Sequence, residues 1–165
     1  MRSPEQDEKI NKADKTEKQR ERKDMKIAVG SDHGGFELKE LIVQFLSELG
    51  QEVESVGCHS LESVDYPDLA EKVCTAVRTG VCDCGILVCG TGIGMSIAAN
   101  RHRDIRAALC HEAFTAKMSR EHNNANVLCL GGRVIGPEIA LDIVKTWVET
   151  AFAGGRHQRR LDMFS

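Results

Sequence analysis

Apolar residues in this chain follow two rhythms, and its first segment has neither. Residues 1–24 are almost all Glu, Lys, Asp, Arg and Gln, with Ile10 the one aliphatic residue larger than alanine apart from Met1. Such a stretch cannot bury enough surface to form a core, and at most it favours a solvated helix. From Lys26 the pattern changes. Lys26–Val29 reads as a short strand and Gly30–Gly35 as a loop. Phe36, Leu38, Leu41, Ile42, Phe45, Leu46 and Leu49 then recur at helical spacing until Gly50 stops the run. Val53–Val56 is a second strand. Tyr66-Pro67 opens a helix with Leu69, Ala70, Val73, Cys74 and Val77 on one side. Gly85–Cys89 is nearly all apolar, as a strand covered on both faces should be. Ile93–Asn100 reads as a short helix, Ile105–Leu109 as a strand, Phe114–His122 as a helix and Val127–Leu130 as a strand. Ile135–Phe152 carries a long amphipathic helix, with Pro137 suited to its first turn.

Strands alternating with helices predict an α/β fold on a mostly parallel sheet. The division is a charged extension, 1–24, disordered or helical in solvent, and one domain, 25–165. A length of 165 residues fits one domain and a tail.

Charge changes the picture little. Acidic residues number 25 and basic ones 22, giving a formal net charge of −3. That balance exerts no general pull on nucleic acid or on anionic membrane. No run of about eighteen apolar residues is present to span a bilayer. The charged start has no apolar signal core, so a cytoplasmic protein is expected. Seven cysteines, an odd number, fit reduced thiols better than a disulfide scaffold. Cys58, Cys74, Cys110 and Cys129 read as small core residues. Cys82-Asp83-Cys84 leaves a metal or redox reading open, although the usual zinc spacing and a second pair are missing.

Candidate chemistry gathers where strands end. Ligands of parallel α/β sheets bind at the carboxyl ends of the strands, and Gly30, Cys89 and Gly131 all fall there. Cys89 closes an apolar strand and opens Cys89-Gly90-Thr91-Gly92-Ile93-Gly94. A thiol meeting bare backbone N–H groups at a helix start is favoured as thiolate, and the same donors can hold an oxyanion. Taken alone, Cys89 reads equally as a buried strand-end thiol. The glycines suit a phosphate- or nucleotide-binding module too, although the segment is neither a Walker A sequence nor a dinucleotide fingerprint. Asp32 and His33 follow the first strand; His122 and Asn123 follow a later helix. An α/β sheet can bring those ends together, and it is also physically sensible for His122 or the C-terminal arginines to come across a subunit interface. His59, His102 and His111 read as structural or surface residues.

Five blocks in matching order carry a resemblance: Gly30-Ser31-Asp32-His33-Gly34-Gly35, Asp65-Tyr66-Pro67, the Cys89–Gly94 run, Glu121-His122-Asn123-Asn124 and Gly155-Arg156-His157-Gln158-Arg159-Arg160. From Lys26 to about Met163 the chain resembles ribose-5-phosphate isomerase B, a family that also contains isomerases of galactose and allose phosphates. The resemblance implies a doubly wound, Rossmann-like three-layer sandwich with helices on both faces. It implies interconversion of ribose 5-phosphate and ribulose 5-phosphate through a cis-enediolate. Cys89 would be the base; some relatives use a glutamate, but no carboxylate stands near Met95. The amides of Gly90, Gly92, Ile93 and Gly94 would cradle the oxyanion.

The same resemblance distributes the other roles. Thr91 would assist proton movement, or simply cap its loop. Asn100 would donate to the intermediate, or cap its helix. His122 would open the sugar ring, with Asp32 orienting a hydroxyl. His33, Arg133, Arg156 and Arg160 would hold the phosphate, with weaker claims for Arg159 and His157. Tyr66 would wall the sugar pocket and Asn123 would contact substrate. A homodimer sharing its sites between subunits is implied, or a tetramer, with neither a metal nor an organic cofactor. A hexose phosphate remains an alternative substrate.

Overall fold

The computed structural model describes residues 25–58 and 62–163, so the 1–24 segment and His59 lie outside it. Among the described residues, five strands form one parallel sheet: β1 (Lys26–Ser31), β2 (Glu52–Gly57), β3 (Cys84–Cys89), β4 (Ala107–Leu109) and β5 (Val127–Gly131). Their order is β2-β1-β3-β5-β4. Six helices flank them: α1 (Phe36–Glu48), α2 (Tyr66–Arg78), α3 (Ile93–Ala99), α4 (Ala113–Glu121), α5 (Pro137–Glu149) and α6 (Arg156–Leu161). A 3-10 turn, His33–Gly35, links β1 to α1.

The sheet is apolar on both sides because helices cover both. All six residues of β3 are buried. Alternate strand side chains point to opposite faces. Ile27, Val29, Ile86, Val88, Leu128 and Leu130 pack with Ile42, Ile143 and Trp147, on the α1, α4 and α5 side. Ala28, Leu87, Cys89, Val127 and Cys129 pack with Val73 and Met95, on the α2 and α3 side. The result is the doubly wound three-layer sandwich. Gly35 shows how tightly the layers close, since a Cβ there would lie 2.5 Å from the Val88 carbonyl oxygen.

Several elements differ from the sequence reading. β1 runs on to Ser31 and β4 starts only at Ala107. α5 stops at Glu149, where Thr150 turns to an extended ψ of 127°. α6 was not foreseen. It buries only His157 and Leu161, a single pair four residues apart and too short a pattern to establish a helix by itself. Leu41, placed on the inner face of α1 by spacing, is 41% exposed. Lys39 is instead fully buried, its Nζ donating to the Cys58 carbonyl at 2.8 Å, 3.0 Å from Glu40 Oε1 and over the Phe36 ring.

The thiols outside the glycine run behave as core. Burial pushes Cys74 and Cys82 up to about 11 and Cys84 up to about 12, and raises Cys110 and Cys129 as well. Cys82 packs in the α2–α3 core and Cys84 in the opposite one, so Cys82-Asp83-Cys84 does not present two sulfurs to one ion. Among the described residues, no three His, Cys, Asp or Glu side chains cluster as a metal site would require, and no helix is long and apolar enough to cross a membrane.

Candidate active site at the carboxyl edge of the sheet

The strand order reverses between β1 and β3. The chain leaves β1 for β2 on one side, and β3 pairs with β5 on the other. Loops departing in opposite directions leave a crevice at such a point. Here the two loops touch: a Cβ on Gly34 would lie 3.1 Å from the Gly90 nitrogen.

Cys89 ends β3 at that crevice, 5% exposed, level with Gly131 of β5. Its Sγ accepts the Gly92 N–H at 3.1 Å. Gly92 reaches this position with φ at +77°, a region costly for any residue with a side chain. α3 begins immediately after it. This backbone donor holds the sulfur in place at the start of α3.

The neighbours arrive from three loops. Asp32, 8% exposed, accepts the Gly35 N–H at 3.1 Å, and its own N–H donates to the Val88 carbonyl at 3.2 Å. His33 accepts the Val64 N–H on Nδ1 at 3.4 Å. That bond fixes the tautomer of the neutral ring and leaves Nε2–H as a donor. Tyr66, at the start of α2, lays its ring over Gly94, where a Cβ would come 2.9 Å from Cζ. Arg133 donates its backbone N–H to the Gly90 carbonyl at 2.9 Å and runs its side chain beside Gly90. Thr91 is exposed, and its Oγ1 accepts the Ile93 N–H at 3.3 Å, which is the capping geometry. The hydroxyl hydrogen stays available to donate. Gly90, Gly92, Ile93 and Gly94 thus belong to one tight turn, of which Gly92 meets the sulfur.

Asn100 has a different task. Its Nδ2 donates to the Ser96 and Ala107 carbonyls, each at 2.9 Å, and its Oδ1 accepts the Ala107 N–H at 2.9 Å. Both amide hydrogens are spent on backbone, so Asn100 caps α3 and pins the start of β4. In this conformation it has no donor left for an intermediate.

His122, Asn123, Arg156 and Arg160 are not beside Cys89. A helix between parallel strands runs back against them. His122 closes α4 and therefore lies at the amino edge, before β5 begins. The five residues of β5 separate that edge from Gly131, about 13 Å at ~3.3 Å per residue. α5 also runs back, and α6 follows it. The Ala153 N–H donates to the Glu121 carbonyl at 2.9 Å, fastening this segment to the end of α4. The expectation that one sheet joins Asp32 and His33 to His122 and Asn123 is thus corrected: one chain carries the two groups on opposite edges.

The amino-edge group has its own order. The His122 and His157 rings stack, with centroids 4.2 Å apart and planes 8° from parallel. Burial, then His122, Arg156 and Arg160, push the His157 imidazole down, against a small opposing pull from Glu121. Arg156 and Arg160 are exposed on α6. A cavity of about 590 Å³ opens next to this edge, between Asn100–Ala108, Ser119, Asn123 and Ala125. His157 and Lys39 are residues the sequence undervalued. His157 and Leu161 stand four apart in Arg156-His157-Gln158-Arg159-Arg160-Leu161, the one local sign of a buried helix face. Nothing local marks Lys39 as buried.

A family model described as Ribose/Galactose Isomerase matches residues 27–164. Ribose-5-phosphate isomerase B of Escherichia coli is 51% identical over 137 residues, covering 83% of this chain and 92% of its own. Among solved structures, ribose-5-phosphate isomerase B of Clostridium thermocellum is 56% identical with a TM-score of 0.83, covering 84% of this chain and 94% of that one. The Thermotoga maritima protein of the same name is 55% identical with a TM-score of 0.83, covering 84% and 96%.

Proposed function

The chain belongs to the ribose/galactose isomerase family and is a sugar-phosphate isomerase, and from that premise we propose that it interconverts ribose 5-phosphate and ribulose 5-phosphate with Cys89 as the base. One observation carries the reading: the Cys89 sulfur takes the Gly92 N–H at 3.1 Å, at the carboxyl end of β3 beside the β1–β3 crevice.

The chemistry follows from that placement. The Cys89 thiolate removes the proton from C2 of the open-chain aldose. The electron pair moves into a C1–C2 double bond and the carbonyl oxygen becomes an oxyanion. Backbone N–H groups of the Gly90–Gly94 turn other than those of Gly92 and Ile93, which are held by Cys89 Sγ and Thr91 Oγ1, stabilise that charge. The remaining O2 proton passes to O1, with the Thr91 hydroxyl in position to relay it. The Cys89 thiol then returns its proton to C1, leaving a ketone at C2. His33, through Nε2–H, and Arg133 serve the phosphate from the same edge.

His122, Asn123, Arg156 and Arg160 complete the site from a second subunit. In a two-fold dimer, the carboxyl edge of one protomer meets the amino edge of its partner, and both sites become whole together. Ile93 and Ile97, 52% and 57% exposed on α3, and Phe114, 68% exposed on α4, are apolar side chains available for such contact. His122 then opens the ring and Asp32 orients a hydroxyl.

The test is a parallel assay with ribose 5-phosphate, allose 6-phosphate and galactose 6-phosphate, repeated with Cys89→Ala. Highest kcat/KM on ribose 5-phosphate, lost in the variant, supports the reading. Preference for a six-carbon substrate moves the enzyme to hexose phosphates. Full turnover by Cys89→Ala removes the base assignment.

A further inference from the structure

The amino edge holds two imidazoles face to face, with centroids 4.2 Å apart. His122 caps α4, and His157 lies in the first turn of α6 between Arg156 and Arg160. Arg156 and Arg160 are four residues apart, so they share one side of that helix. Like charges at the stacking distance repel strongly, so such a pair resists carrying two protons at once.

The surroundings decide which ring receives it. His157 is 8% exposed and faces His122 and Glu121 from α4, with Arg156 and Arg160 on its own helix. Burial and three of those neighbours disfavour its cation, and only Glu121 favours it. His122 is more exposed and has Glu121 Oε1 3.9 Å from its Nε2. His157 is thus the ring disfavoured as the cation, and His122 is the ring with the Glu121 carboxylate beside its Nε2.

We propose that His157 is a positioning residue for His122, and that the stacked pair carries one proton whose uptake is linked to phosphate bound at Arg156 and Arg160. This rests on the isomerase reading for the phosphate at those arginines. A phosphate dianion there offsets the two guanidinium charges that oppose an imidazolium. Proton affinity of the pair rises when phosphate binds and, by reciprocity, phosphate affinity rises when the pair is protonated. Ring opening then uses that proton. The imidazolium gives it to the ring oxygen as the bond from that oxygen to the anomeric carbon breaks. The imidazole takes the proton of the anomeric hydroxyl as its oxygen becomes the carbonyl. The pair ends with the one proton it began with, and it is charged only when the phosphate end is seated.

The experiment is an NMR titration of the imidazole Cε1–H signals in the full chain, assigned with His122→Asn and His157→Asn. It is run with saturating inorganic phosphate and with chloride at equal ionic strength, and repeated with sulfate, a dianion that does not titrate in this range. Expected is a rise of His122 proton affinity of about threefold or more with either dianion, abolished in the double variant Arg156→Gln, Arg160→Gln. His157→Phe, which keeps a flat ring against His122, should retain more kcat on ribose 5-phosphate than His157→Ala. His157→Ala should also move the acid limb of the kcat/KM profile, which a purely structural role would leave in place. A His122 titration unmoved by phosphate, or unmoved by His157→Ala, overturns the proposal. The titration needs no turnover. A phosphate-linked shift without isomerisation of any sugar phosphate would sink the isomerase reading and keep the linkage; normal turnover without the shift would do the reverse.

Discussion

The Gly92 backbone N–H points at the Cys89 sulfur from 3.1 Å, and only glycine can hold it there. Gly92 has φ at +77°, and a Cβ would lie 2.5 Å from Leu109 Cδ1 and 2.9 Å from the Leu130 carbonyl carbon. Gly92→Ala is expected to destabilise the fold by about 1–3 kcal/mol through strain and overpacking. It should lower kcat more than it raises KM, because the donor leaves the sulfur while the phosphate contacts stay. Urea unfolding and steady-state kinetics check both parts. Wild-type kcat in a destabilised Gly92→Ala would show that the N–H···S bond is not needed.

Removing the sulfur is the stronger test of chemistry. Cys89→Ala should lose roughly 10²- to 10⁴-fold in kcat, the usual contribution of a positioned base. Its thermal transition should stay close to the parent, since the thiol is small and makes one hydrogen bond. Deuterium exchange at C2 of the substrate in heavy water should disappear with turnover. Exchange at the parent rate would mean another group takes the proton.

The sequence exposed the sheet and the Cys89 turn because both are local. The nearly all-apolar run Gly85–Cys89 followed by three spaced glycines leaves few structural options. The same locality explains what stayed hidden. That Asp32 and His122 sit on opposite edges depends on α4 running back against its strands, which no spacing records. Spacing left Asn100 open between substrate donor and helix cap because its partner Ala107 follows a loop, and the two meet only when β4 joins the edge of the sheet. Lys39 falls outside the apolar positions that helical spacing picks out in α1. It is buried because the β2–α2 loop offers the Cys58 carbonyl as acceptor.

That loop gives a prediction for Lys39. The lysine holds Cys58, and farther along the same loop Val64 orients His33 and Tyr66 covers Gly94. Lys39→Met keeps the aliphatic bulk but removes the buried, charge-assisted hydrogen bond to the Cys58 carbonyl, a cost of about 1–3 kcal/mol. The melting temperature should fall, and KM for the sugar phosphate should rise as His33 loses its orientation. A stable variant with normal KM would show that the loop is held from elsewhere.

Acid should weaken the fold through His157. Its folded-state proton affinity lies below the ordinary value of 6.5, chiefly from burial. Below that pH the unfolded chain binds a proton that the folded chain refuses, so stability falls as pH drops and returns above it. His157→Phe should flatten this part of the stability–pH curve. Thermal melts through the mildly acidic range would show it, and an equal slope in parent and variant would assign the acid response to other groups.

The two-edge arrangement makes a demanding prediction about mixtures. Cys89→Ala damages the carboxyl-edge group and His122→Asn the amino-edge group. Each homodimer then carries two defective sites. After subunits are exchanged at equal concentration, half of the dimers are mixed. Every mixed dimer has one site with both defects and one with neither. Activity should therefore rise to about a quarter of the parent value. The ring-opening defect of His122→Asn is best read on ribose 5-phosphate, which is mostly cyclic. A time course that follows subunit exchange, measured against each variant alone, separates this gain from simple addition. Activity that stays at the sum of the two variants, with exchange verified by mass spectrometry, would place His122 and Cys89 in the same subunit's site and defeat the shared-site reading.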